Sequence, residues 1–119
     1  MNQFIYLYRG GQLYRVGERP PSPEEMQQNM QKWTKWLKQL ADMGHLKDRG
    51  HPLERTGKLV QGKSRTVTDG VFTETKDVVN GFTLIEARDL GQAVELSSGC
   101  PILDVGGVVE VRPIMQMNT

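Results

Sequence analysis

Both alternating sets of the run Gln3–Tyr8 are apolar, with Phe4, Tyr6 and Tyr8 on one side and Ile5 and Leu7 on the other. Successive side chains of a strand point to opposite faces, so a strand of this composition has to be covered twice. That places it in the middle of a sheet with a layer on each side. A chain of 119 residues has the length for one ordinary core. Its hydrophobic content of 37%, with 7% aromatic residues, is lean. A second subunit is therefore expected to complete part of the apolar surface.

After the strand, Arg9-Gly10-Gly11 signals a turn, Tyr14 to Gly17 reads as loop, and Pro20-Pro21 stiffens the approach to a helix. Ser22 is a natural N-cap, Pro23 suits the first helical position, and Glu25 completes a capping box while meeting the helix dipole. Met26, Met30, Trp33, Leu37 and Leu40 draw one apolar stripe, widened by Trp36 and Met43. Gly44 is the expected residue beyond the C-cap. From Pro23 to Met43 the helix runs about 31 Å, enough to cross a whole sheet. Lys32, Lys35 and Lys38 read as its solvated outer face.

Lys47 to Thr56 is polar, holds Gly50 and Pro52, and reads as an irregular link. Leu59-Val60 and Thr66-Val67 flank Gln61-Gly62-Lys63-Ser64 as a tight hairpin. Phe82 to Ala87 is a further strand, entered through Asn80-Gly81. A second helix has Asp89 as N-cap and Leu90, Ala93, Val94 and Ser97 as its buried stripe; Gly99 and Pro101 stop it. Gly106-Gly107 precedes the last strand, Val108 to Arg112. Strand, long helix, hairpin, strand, short helix, strand is the ferredoxin-like α+β plan with extra β structure in the middle. Two helices cover one face of an antiparallel sheet, and the other face is expected to pack on a second copy.

Fifteen basic and fourteen acidic residues leave a net charge of +1. That balance argues against a chain that binds nucleic acid or a membrane surface by charge. The single cysteine, Cys100, excludes an internal disulfide and fits a reducing cytoplasm. The apolar stretch Phe4 to Tyr8 is too short, and lacks the basic flank, for a signal peptide. No apolar run approaches the roughly 20 residues of a membrane span. The expectation is a cytoplasmic protein.

The run Thr68-Asp69-Gly70-Val71-Phe72-Thr73-Glu74-Thr75-Lys76 resembles the signature of the YCII-related family, in its DGPF-domain branch, with Val71 in place of the branch's proline. Asn80-Gly81-Phe82, Gly99-Cys100-Pro101 and Gly107 to Pro113 resemble its other recurrent segments in the same order. The resemblance implies a dimeric α+β barrel, two ferredoxin-like protomers packed sheet to sheet. It also implies a His–Asp pair in members with an active site, and a related enzyme eliminates chloride from a chlorinated hydroquinone. The acid of that pair maps to Asp69, whereas no histidine lies between Pro23 and Gly44 and the nearest is His45. Some DGPF proteins are encoded near or fused to sigma factors, which implies a regulatory association.

Asp69 is the first candidate for catalysis, as a general acid or base; as structure, an Asp before Gly holds a turn. Glu110 and Arg112 share a face of the last strand, where Arg112 would clamp a carboxylate or phosphate, or the two would form a cross-strand or inter-subunit ion pair. Glu74 and Lys76 share a face in the same way, as ligand contacts or as a surface pair. His45 and His51 are of the residue type suited to acid–base chemistry; His45 is the candidate ligand contact of the two, with a solvated helix end as the bland reading. No HxxxH, paired cysteines or acidic triplet is present, so no metal is expected. The glycine pairs fit no phosphate loop, so no cofactor is expected either. Cys100 is expected to pack at the end of the second helix. Two functions stand: a small dimeric module that binds a small molecule or regulates, and a cofactor-free acid–base enzyme using Asp69 and Arg112.

Overall fold

The computed structural model describes residues 1–11, 20–54, 56–69 and 78–117. The expected loop at Tyr14–Gly17 and the candidates Glu74 and Lys76 lie outside them. In chain order the elements are β1 (Asn2–Arg9), α1 (Pro23–Asp42), β2 (Leu46–Asp48), β3 (Lys58–Gln61), β4 (Thr66–Asp69), β5 (Val79–Ala87), α2 (Leu90–Ser97), a 3-10 turn (Pro101–Val105) and β6 (Val108–Pro113). The main sheet has the order β2-β5-β1-β6, antiparallel throughout, and β3-β4 form a separate two-stranded sheet. Setting that hairpin aside, this is the ferredoxin-like α+β fold, with the doubly apolar β1 in its centre. The link after α1 departs from expectation: Leu46–Asp48 makes a short edge strand on β5 inside what reads as an irregular segment.

Both ends of α1 follow from local chemistry. The Ser22 hydroxyl accepts the Glu25 N–H while the Glu25 carboxylate accepts the Ser22 N–H, satisfying two otherwise orphaned donors. At the far end Gly44 takes φ 81°, its N–H reaches the Ala41 carbonyl and the His45 N–H reaches that of Leu40. This pair of bonds ends the helix and turns the chain into β2. At α2 the Asp89 carboxylate accepts the Gln92 N–H.

The core lies between one sheet face and the two helices. Phe4, Tyr6, Tyr8, Ile85 and Ala87 pack there against Trp36, Leu37 and Leu40 of α1 and Ala93 of α2. Register explains the selection: Phe4 faces Ile85 and Pro113, and Tyr6 faces Thr83 and Val111, so these side chains share one side. Trp36 stacks on Tyr6 at 5.9 Å, and Trp33 meets Tyr8 edge-on at 4.8 Å. The expected stripe of α1 is buried only in its second half. Met26, Met30 and Met43 are 52%, 66% and 55% exposed, because the helix is longer than the surface beneath it. In α2, likewise, Ala93 and Ser97 are buried while Leu90 and Val94 face outward.

Candidate functional site

The second face of the sheet carries Ile5, Leu7 and Arg9 of β1, Phe82, Leu84 and Glu86 of β5, and Val108, Glu110 and Arg112 of β6, by the same register. No helix lies on it among the described residues. Its centre is apolar, where Leu7 pairs with Phe82 and Ile5 with Leu84. Its rim is ionic: Arg9 to Glu110 is 2.6 Å, Arg112 to the same carboxylate 3.8 Å, and Lys47 to Glu86 3.5 Å. Glu110 and Arg112 thus come together as a cross-strand ionic group completed by Arg9, a residue the sequence reading passed over. The signal for it was present, since Arg9 stands two residues after Leu7 on an alternating strand. The Arg112 side chain stays 66% exposed, held only loosely by its shared partner.

Asp69 lies elsewhere. It is the last residue of β4, its side chain is 86% exposed, and its carboxylate accepts from the Lys58 ammonium at 2.7 Å across the hairpin. Its register partner in β3 is Lys58. His45 follows α1, where its Nδ1 donates to the Glu86 carbonyl at 2.8 Å while its own carbonyl accepts the Glu86 N–H. A carbonyl only accepts, so Nδ1 carries the proton and Nε2 is the basic atom. The four described candidates therefore fall in three separate places, with Glu110 and Arg112 together. A shallow groove of about 290 Å³ opens between the start of β1, the start of α2 and the tail after β6, lined among others by Phe4, Asp89, Leu90 and Ile114. None of Asp69, Arg112, Glu110 and His45 lines it.

Inside the core, the hydroxyls are committed to structure. The Tyr8 hydroxyl donates to Thr83 Oγ1 at 2.6 Å, which donates in turn to the Arg49 carbonyl at 2.9 Å. This chain ends on a backbone acceptor, so it ties the residues after β2 to the sheet rather than moving a proton. Gly50, next in that segment, has φ 70°, and a Cβ there would sit 1.7 Å from the Phe82 carbonyl oxygen; only glycine permits so close an approach. The Tyr6 hydroxyl donates to the Ala93 carbonyl of α2. Burial pushes both phenols well above their usual range, outweighing for Tyr8 the opposing effect of its Thr83 bond. Burial also pushes the Cys100 thiol up to about 12, so it remains a neutral packing group at neutral pH.

Among the described residues, no three His, Cys, Asp or Glu side chains group as a metal site, and no helix is long and apolar enough to cross a membrane. Compared with known families, the chain matches the model described as YCII-related domain over residues 10–118. No curated protein matches it.

Proposed function

The chain belongs to the YCII-related domain family, and we propose that it works as a small dimeric binding or regulatory module whose protomers pack open sheet face to open sheet face, closing the barrel of its DGPF branch. The observation that carries this is the second face of the sheet, apolar along Ile5, Leu7, Phe82 and Leu84 and rimmed by Arg9, Glu110 and Arg112. An apolar centre inside a polar rim is the anatomy of a protein interface. Among the described residues helices cover one side of the sheet, whereas β1 calls for a layer on each. On this reading Arg112, exposed at the rim, holds the carboxylate or phosphate of a small ligand. The acid–base alternative needs Asp69 against a concave pocket with convergent polar groups. An exposed carboxylate neutralised by Lys58 on a hairpin supports the binding reading instead.

Light scattering on the eluting protein is expected to give about twice 13.4 kDa, and Leu7→Lys with Leu84→Lys a folded species of half that mass. A wild-type monomer at micromolar concentration overturns the sheet-face dimer.

A further inference from the structure

Among the described residues, no other strand pairs with the β3–β4 hairpin. Its strands pair with each other, Lys58 with Asp69, Leu59 with Thr68, Val60 with Val67 and Gln61 with Thr66, and all eight residues are exposed. The directly opposed pair Val60 and Val67 is 63% and 55% exposed. A lone two-stranded hairpin is at best marginal in water, and cross-strand valines stabilise it little unless their face is covered. The radius of gyration, 16.2 Å, exceeds the roughly 13.5 Å of a compact chain of this length. Part of the polypeptide stands away from the body.

A second apolar strip is equally bare. None of the first ten residues of α1 is buried, although Met26 and Met30 are one turn apart on the side that continues into Trp33. The Trp33–Tyr8 contact fixes the middle of α1 over the end of β1, so about 15 Å of helix extends past the packed region. The hairpin leaves from that same end: Arg9 pairs with Val79, and the Leu53 N–H reaches the Asn80 carbonyl just before the hairpin begins. The two strips are complementary in charge. The hairpin tip carries Lys63 and Arg65, and the first turn of α1 carries Glu24 and Glu25 beside Met26.

We propose that the β3–β4 hairpin is an arm that docks on a second copy of this chain, its Val60–Val67 face on the Met26–Met30 strip and its basic tip by the acidic first turn. A two-fold axis makes the contact reciprocal, so each protomer gives one arm and receives one. A nucleic-acid partner would use Lys63 and Arg65 but has no need of the valines, whereas a second copy uses both. The arm requires a dimer, but not the sheet-face contact.

The test places Val60→Cys in one chain and Met30→Cys in another, with the native Cys100 buried, and mixes them under mild oxidation. A disulfide-linked pair of unlike chains is expected in the mixture, with neither variant alone linking to itself. Each variant is first shown to melt as the parent does. An intrachain link in the doubly substituted chain, with no link in the mixture, overturns the arm by closing the hairpin on its own helix. A dimer of the right mass with no link also overturns it and leaves the sheet-face reading standing. A link that survives Leu7→Lys with Leu84→Lys upholds the arm and removes the sheet face. A second pair gives independent evidence: Lys63→Glu and Glu24→Lys are each expected to weaken their own dimer at low salt, and mixing them to restore association. Dimers of either variant as tight as the parent's overturn the charge pairing on which the arm is seated.

Discussion

The two sides of β1 differ little in composition and greatly in circumstance. Phe4, Tyr6 and Tyr8 are at most 5% exposed beneath α1 and α2, while Ile5 and Leu7 lie half-buried on a face that no described helix covers. Burial of apolar area is the main favourable term in folding, so the first set holds the protomer together. The second set has the same driving force and no partner within the described chain. On the proposed sheet-face dimer, a strand with two apolar sides divides its energy between folding and association.

The sharpest way to break that contrast is at its covered side. Leu40→Ala, at a site 1% exposed, is expected to cost about 2–5 kcal/mol in denaturant unfolding, at every protein concentration. Leu84→Ala on the open face is expected to shift the unfolding midpoint much less when dilute, with a deficit that grows with concentration, because in the proposed dimer what it weakens is association. Equal, concentration-independent losses at the two sites would erase the distinction.

Alkali should act on the covered side alone. Cys100, raised from 9.0 to about 12, and the two raised phenols stay neutral in the folded protein while ionising in the unfolded one. Above the unfolded pKa the unfolded state binds fewer protons, so stability is full below about pH 9 and is lost as pH climbs toward 12. Thermal melts are expected to hold level to pH 9 and then fall. Cys100→Ala is expected to make that fall shallower without abolishing it, since Tyr6 and Tyr8 remain; an unchanged slope would exclude the thiol.

Tyr8→Phe is a finer probe. It removes the donor to Thr83 Oγ1, but the threonine hydroxyl keeps its own bond to the Arg49 carbonyl and is not left wholly unpaired, so the expected loss is about 1 kcal/mol. Asp69→Asn is expected to have the smallest effect, within about 0.5 kcal/mol, because an exposed ion pair contributes little. Any thermal shift that a small carboxylate produces is expected to survive Asp69→Asn and to disappear in Arg112→Ala. Loss of the shift in Asp69→Asn instead would reinstate the acid–base enzyme.

The sequence by itself determined the central position of β1, both helix caps, the hairpin of Leu59-Val60 with Thr66-Val67 (its turn one residue later than expected, at 62–65) and the alternation that puts Glu110 and Arg112 on one face. Each is a short-range consequence of residue type: an N-cap hydroxyl, a glycine that tolerates positive φ, a period of two. Only the tertiary structure decided that the first half of the apolar stripe of α1 is left out of the core, that Leu46–Asp48 completes the sheet edge against β5, and that Asp69, His45 and Arg112 lie in three different places. Periodicity states which side of a helix is apolar but not how far the surface beneath it reaches, because that length is fixed by strands distant in the chain. The same limit explains the site: side chains converge through pairing between remote segments, and a spacing along the chain carries no record of it.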